Sequence, residues 1–199
     1  MQYFSKEEVK DILVSVLVVT LIFSYNSSNP KQTFILFPFY LIIVVFSFLL
    51  HELAHKTAAR NFGCISFYKM WPTGLLLSLV FMLIGTKIII PGAVVIYPFT
   101  FGRWGFKRIR LSAQEIGIIS VSGILVNIFI ATISRPFVGL LLIQNFDFFL
   151  ALSFINSFLA FFNLLPFPPL DGSKVITWKP WLWFFLIAIA VGLFLSFIF

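Results

Sequence analysis

The stretch FILFPFYLIIVVFSFLLHELAH, residues 34–55, decides the fold of this chain. No charged side chain occurs from 34 to 50. A run of about 20 apolar residues is long enough for a helix to cross a lipid bilayer. The run ends at His51-Glu52-Leu53-Ala54-His55, which contains both histidines of the chain. The stretch therefore predicts a membrane helix with a polar cluster at its end.

The spacing of the two histidines is typical of a metal site. Residues four apart share one face of a helix, so the imidazoles of His51 and His55 can reach one zinc ion. Glu52 then lies beside the metal, where it can accept a proton from water. A lone buried histidine is usually a hydrogen-bonded core residue. Here two histidines flank a glutamate in a membrane helix, where such residues are costly. The pattern predicts one Zn²⁺ per chain.

The composition indicates an integral membrane protein. The 199-residue chain is 60% hydrophobic and 11% charged, whereas a soluble domain is about half apolar and about a quarter charged. The net charge of +7 comes from basic residues in short loops between apolar runs. This pattern favours orientation in a lipid bilayer and gives no reason to expect a nucleic-acid partner. We expect residues 1–199 to form a single membrane-embedded domain.

Several apolar runs are long enough to form spanning helices. The first is preceded by acidic as well as basic residues and lacks a clear cleavage site, so we interpret it as a retained helix and not as a signal peptide. The predicted spans are residues 9–24, 34–60, 113–134, 147–165 and 180–199.

Segment 74–101 has a different pattern. Its apolar part, 75–86, is too short to cross a bilayer comfortably, and Pro91 and Gly92 follow among β-branched residues that favour extended chain. We predict a helix-plus-strand hairpin that dips into the membrane, with a re-entrant β-hairpin-like segment near residues 87–98. Such backbone is tolerated at membrane depth only inside protein or beside a wet cavity. The predicted fold class is an all-α polytopic membrane protein with five to six transmembrane helices plus this segment.

Basic clusters predict the topology, because cytoplasmic loops are enriched in Lys and Arg. The clusters follow the histidine motif, segment 74–101 and the proline-rich break at 166–169. They place these parts, the N-terminus and the active-site opening on the cytoplasmic side, and the C-terminus outside. The residues are Lys56, Arg60, Lys69, Arg103, Lys107, Arg108, Arg110, Lys174 and Lys179.

A catalytic zinc site usually has three protein ligands, so one more is needed. The chain has seven acidic residues. Glu7, Glu8 and Asp11 precede the first helix, Asp147 falls on the external side, and Glu52 is the proposed base. Glu115 and Asp171 therefore remain, both on the side of the histidine motif. Asp171 is the preferred ligand, because prolines before it and Gly172 after it can hold its carboxylate on a rigid, non-helical segment. The alternatives are a turn or capping role for Asp171 and a first-turn helix acid for Glu115.

The two motifs together resemble the site-2 protease family of intramembrane zinc metalloproteases. His51 to His55 match the family's H-E-x-x-H motif. Asn163-Leu164-Leu165-Pro166 and Leu170-Asp171-Gly172 match its N-x-x-P and D-G segments. Ser122-Gly123-Ile124-Leu125-Val126-Asn127 is similar to its G-P-x-x-N helix, with Ile124 in place of proline. The resemblance covers about residues 34–175, flanked by helices 9–24 and 180–199, and is closest to a minimal archaeal core without PDZ or CBS domain.

The resemblance implies a metalloendopeptidase in the cell membrane of a prokaryote. It implies that His51, His55 and Asp171 bind zinc and that Glu52 is the catalytic base. Asn163 is expected to hold substrate or the developing oxyanion, the alternative being an interhelical hydrogen bond. Asn127 is assigned to substrate binding.

The expected partner is a membrane-protein substrate with a transmembrane segment. A helix pairs all its backbone groups internally, so it must unwind before hydrolysis. The strand predicted at 88–96, with Ile89, Val94 and Val95, could then pair with the unwound chain. The alternative is that this segment only fills the bundle.

The same residues are compatible with functions other than proteolysis. The main alternative is a zinc or other ion transporter that uses His51, His55 and Asp171 as a transit site. A catalytically dead relative would be expected to lack Glu52, and a prenyl-protein protease would lack the N-x-x-P and D-G segments.

Overall fold

The computed structural model describes residues 4–97, 99–102, 105–108, 110–143 and 145–197. These residues are mostly helical. In chain order the elements are α1 (Lys6–Ser24), α2 (Pro30–Asn61), β1 (Ile65–Met70), α3 (Pro72–Leu83), β2 (Gly92–Tyr97), β3 (Phe99–Gly102), β4 (Gly105–Arg108), α4 (Ala113–Ser134), a 3-10 turn (Arg135–Phe137), β5 (Leu142–Ile143), β6 (Phe146–Asp147), α5 (Phe148–Asn163), α6 (Asp171–Trp178) and α7 (Pro180–Leu195). Position 98 of the predicted re-entrant segment, Arg103 and residues 198–199 of the last predicted span lie outside the described residues.

Helices α1 and α4 begin at residues that cap them. Ser5 and Glu8 form a reciprocal capping box at α1, and Ser112 and Glu115 form a second one at α4. Such boxes satisfy backbone N–H groups that have no partner within the helix. Glu115 is therefore a capping acid in the first turn of α4, which agrees with the alternative to its role as a metal ligand.

Among the described residues, two helices are long and apolar enough, by length and composition, to cross a membrane: Pro30–Asn61, and α4 with the turn that follows it, Ala113–Phe137. Helices α3, α5 and α7 are apolar but shorter, with 12, 16 and 16 residues. A helix overlaps each of the five predicted spans in sequence. The prediction that the protein consists mostly of helices is confirmed. The number of membrane crossings stays a prediction.

The strand pairing differs from the prediction. Strand β2 pairs antiparallel with β1, from Ile65 opposite Tyr97 to Met70 opposite Gly92. The order of helix α3 and strand β2 agrees with the predicted helix-plus-strand order, but the strand that pairs with β2 precedes α3 and lies outside residues 87–98. β2 begins at Gly92 and not near residue 88, since Pro91 has no N–H and the Ile90 N–H donates to Ser78 Oγ at 2.9 Å. A separate antiparallel pair, β3 with β4, follows.

Helix α2 lies at the centre of the packing, against α1, α4, α5 and β1. One apolar cluster joins α1, α2 and α5, with Val19, Ile43, Val44 and Ile155 fully buried. A second cluster joins α4 and α5 to α6 and α7. The helix with the histidine motif is thus held on several sides.

Candidate metal centre

The structure brings His51, His55 and Asp171 together from α2 and α6. Nε2 of His55 lies 2.9 Å from Nε2 of His51 and 3.0 Å from Oδ2 of Asp171. Nε2 of His51 lies 3.7 Å from the same oxygen. All three side chains are buried. Two imidazoles from α2 and a carboxylate that follows His55 by 116 residues, by 171 − 55, thus converge on one point.

These atoms fit a zinc ion. Zinc binds histidine nitrogen and carboxylate oxygen at about 2.0–2.2 Å with tetrahedral geometry, which separates neighbouring ligand atoms by about 3.3 Å. The three separations of 2.9, 3.0 and 3.7 Å lie on both sides of that value. The ligand types are those of a catalytic zinc site, which has three protein ligands and one open position. The prediction of a zinc cofactor is confirmed.

Two contacts outside the ligand set hold the ligands in place. Nδ1 of His55 lies 2.7 Å from the Ile119 carbonyl oxygen on α4. A proton on Nδ1 donated to that oxygen leaves the Nε2 lone pair for a metal. Lys174 Nζ donates to Asp171 Oδ1 at 2.9 Å, which leaves Oδ2 directed at the histidines. Sequence reasoning missed both roles, although the three-residue spacing of Asp171 and Lys174 on one helix face could have indicated the second.

The charges around Asp171 favour its ionised form. Burial opposes ionisation, but the neighbouring His55 and Lys174 hold the pKa of the Asp171 carboxyl well below its usual range. An ionised carboxylate is the form that binds a metal.

Asp171 begins a helix, which differs from the expected non-helical segment. It is the first residue of α6, directly after the turn at 166–169. Gly172 lies so close to the backbone of Leu164 and Leu165 that any side chain would collide with it. This contact seats the start of α6 against the end of α5 and so brings the carboxylate to the histidines.

Gly123 on α4 makes room for the two imidazoles. A Cβ atom at this position would lie 2.5 Å from His55 Nε2 and 2.8 Å from His51 Cε1. Real Cβ contacts do not become that short, so any larger residue must displace the ligands. The G-x-x-x-N pattern at 123–127 therefore has a definite spatial role at its glycine, even with Ile124 in place of proline.

Gly123→Ala is expected to weaken zinc binding by at least about tenfold, the lower end of the effect of changes beside metal ligands. The measurement is competition for zinc against a chelator of known affinity. Gly192→Ala is the matched control, because Gly192 also lies in a helix and has open space around it. Equal zinc affinity in both variants would contradict the assigned role of Gly123.

A small cavity of about 30 Å³ adjoins His51 and Glu52. This is enough for one or two waters. Glu52 Oε2 and both amide atoms of Asn127 are buried without a hydrogen-bond partner among the described residues. The lining residues are Phe48, His51, Glu52, Ile89, Pro91, Gly92, Asn127, Leu159, Phe162, Asn163 and Leu170. The cavity thus gathers the predicted base with Asn127, Asn163 and Ile89.

Asn163 and Ile89 occupy particular places in this cavity. Asn163 Nδ2 donates to the Leu159 carbonyl of its own helix at 2.9 Å, so the bond seen is not interhelical. Ile89 was predicted to lie in the strand, but it is buried and precedes β2, so it is outside the observed strand. Its side chain forms a wall of the cavity.

The β1–β2 sheet has one edge covered by α1. The Tyr68 N–H donates to Glu8 Oε1 at 2.8 Å, and the Met70 N–H donates to Asp11 Oδ2 at 3.1 Å. Glu8 also pairs with Lys56, the residue after His55, at 2.7 Å. The carboxylates of α1 thus replace the carbonyls of a further strand and connect this edge to the motif helix.

The other edge of the sheet belongs to β2. Because the N–H groups of Tyr68 and Met70 point away from β2, their partners Val94 and Gly92 also direct their backbone groups away from β1. Val94 and Val95 line a larger groove of about 900 Å³ on this side. Both predicted strand residues therefore lie at this edge.

A mostly helical chain with a buried His-His-Asp group and a glutamate beside it has the features of a zinc metallopeptidase. Comparison with known proteins agrees. Over 188 residues the chain is 38% identical to a protein of Methanocaldococcus jannaschii, covering 90% of this chain and 88% of the relative. Over 153 residues it is 30% identical to a protein of Bacillus subtilis strain 168, covering 71% and 68%.

Both relatives are named "Putative zinc metalloprotease". The chain belongs to the family of these zinc metalloproteases. No family model matches the chain, and no solved structure matches it significantly.

Proposed function

We propose that the protein is an intramembrane zinc metalloendopeptidase of the site-2 protease type. The observation that carries the proposal is the buried His51, His55 and Asp171 group with the Glu52 carboxylate beside it on an apolar helix. A transit site for ions would need only the ligands. An unpaired carboxylate oxygen next to them favours hydrolysis over transport.

Each polar side chain then has a chemical role. His51, His55 and Asp171 hold zinc, which when bound polarises a carbonyl and lowers the pKa of water toward about 7. Glu52 accepts the proton of the attacking water and later delivers it to the leaving amine. The small cavity beside Glu52 is large enough for that water.

Two asparagines face the same cavity and are proposed to hold the substrate. We propose that Asn163 donates to the developing oxyanion through the amide N–H that is not used by the Leu159 carbonyl, a type of contact that commonly contributes strongly to amide hydrolysis. Asn127 has both amide atoms buried without a partner among the described residues. A peptide group of the substrate can satisfy the donor and the acceptor together, which would offset their burial cost.

The membrane location is supported by the surface of the helices. Along α1, Val9, Leu13, Leu17 and Leu21 form a stripe with exposed fractions of 43%, 56%, 50% and 36%. On α7, Trp181, Phe184 and Phe185 are each more than 60% exposed. Large exposed apolar faces suit contact with lipid. We propose a multi-pass protein whose substrate arrives through the bilayer.

The depth of the site follows from the length of α2. From residue 34, where the uncharged run begins, to His51 the helix rises about 26 Å, at about 1.5 Å per residue. The hydrocarbon core is about 30 Å thick. The metal would then lie near one face of the membrane, which we propose to be the cytoplasmic one, with its water supplied from that side.

We further propose that an unwound substrate segment pairs with the free edge of β2. Val94→Pro removes an N–H that points away from β1, so cleavage of a transmembrane substrate should fall by at least about tenfold. Val94→Thr keeps the N–H and is the matched control. The ratio of kcat/KM between the two variants is the measurement, and zinc content checks the fold. Equal kcat/KM would contradict strand pairing.

The activity is tested in neutral phosphatidylcholine vesicles that contain the protein and a model transmembrane substrate. Cleavage should stop when a chelator removes zinc and resume when zinc is returned. A zinc-sensitive dye inside the vesicles tests transport at the same time. Zinc uptake without cleavage would favour the transporter.

A further inference from the structure

The groove beside β2 has a marked charge pattern. Its lining includes strand β2, Arg110, Leu111, Ile116, the prolines at 168–169 and Lys174. Two of these are charged, Arg110 and Lys174, and both are cationic. The acidic side chains Glu8 and Asp11 lie instead at the opposite edge of the sheet, on β1.

The two cations differ in their surroundings. Lys174 is already paired with Asp171 at 2.9 Å, so its charge is partly offset by a metal ligand. Arg110 is exposed, and within the described ranges no ion pair involves it. Arg110 is therefore the cation available to a molecule in the groove.

The shape of the groove suits an extended peptide. Backbone groups of Val94 point into it from β2, and the side chains of Leu111, Ile116 and the two prolines supply apolar surface. In a strand paired with β2, alternate side chains share one face, about 6.6 Å apart. Every second side chain of such a segment would therefore face the same wall of the groove.

We propose that the groove selects substrate segments with an acidic side chain, and that Arg110 is the specificity-determining residue. This inference rests on the proposed protease function and specifies its substrate class. The occupant is an extended, membrane-proximal segment of a substrate protein. Its carboxylate pairs with Arg110, and its backbone pairs with β2.

Peptide binding tests the inference independently of cleavage. The protein used is the full-length, zinc-loaded Glu52→Gln variant in neutral detergent. The probes are fluorescent peptides in which one Glu, Gln or Lys is moved along an apolar segment. Glu should bind about fivefold more tightly than Gln, as expected for a solvent-exposed ion pair. The preference should recur at alternate positions and shrink in high salt.

Charge reversal gives the decisive comparison. Added to Glu52→Gln, Arg110→Glu should transfer the preference from Glu to Lys peptides, whereas Lys31→Glu, an exposed change outside the groove, should leave it unchanged. Zinc content confirms that each variant is folded. Equal binding of Glu, Gln and Lys peptides, or the same preference after reversal, would overturn the inference.

Two further outcomes separate the possible errors. If Arg110→Glu affects only binding to vesicles with phosphatidylglycerol, the groove binds a lipid headgroup and the inference is wrong. If peptides bind with the expected charge preference but the wild-type protein cleaves none of them, the inference stands and the proposed protease function fails.

Discussion

Glu52→Gln is expected to abolish cleavage of a transmembrane substrate while the purified protein still binds one zinc ion. The Glu52 carboxylate is buried beside His51, and its Oε2 has no partner among the described residues. An amide of nearly the same shape cannot accept the proton of the attacking water. General-base catalysis contributes about 10²–10⁴-fold, so the rate should fall by at least that factor.

The measurement pairs an initial cleavage rate with elemental analysis for zinc. Glu7→Gln is the control, because Glu7 is an exposed acid on α1 far from the ligand set in sequence. It should leave rate and zinc content unchanged. Full activity of Glu52→Gln would remove Glu52 as the base, and loss of zinc would show that Glu52 supports the ligands.

Asp171→Ala is expected to lower zinc affinity by more than about 100-fold. Changes next to metal ligands already cost about 10–100-fold, and Asp171 supplies an oxygen that lies 3.0 Å from His55 Nε2. The substitution also leaves Lys174 without its carboxylate and places a cation near the empty ligand position. Zinc competition with a chelator measures the loss.

Glu115→Ala is the matched control, since Glu115 was the other candidate ligand. It should leave zinc affinity unchanged, because its carboxylate accepts from Ser112 in the capping box of α4. The reverse result, with zinc retained by Asp171→Ala and lost by Glu115→Ala, would transfer the third ligand to Glu115.

Local sequence patterns were enough to predict much of the candidate metal site. His51 and His55 could be paired from spacing alone, because four residues are about one helical turn and the run before them is apolar. Asp171 could be predicted as the third ligand because the chain has few acidic residues and the positions of most of them excluded them as ligands. The helices could also be predicted, since long apolar runs are local features of the sequence.

The pairing of the strands could not be predicted from local sequence patterns. The order of helix and strand in segment 74–101 was predicted, but the partner of β2 is β1, which precedes α3 in sequence. β1 is short and mixed in polarity, so nothing near it in sequence indicates a partner. On the other edge of β1, Glu8 and Asp11 of α1 accept hydrogen bonds from backbone N–H groups. These contacts come from a segment distant in sequence and hold β1 in place beside β2.

The contacts that adjust the metal centre were likewise invisible in the sequence. A glycine that leaves room for two imidazoles looks like any helical glycine until α4 packs against α2. The Ile119 carbonyl that holds His55 has no side-chain signature. The ligand identities and the membrane-like composition are properties of residue type and spacing, which sequence records directly. The position of Asp171 at the histidines, the shape of the cavity and the choice of the open sheet edge depend on packing between distant segments, which only the folded chain specifies.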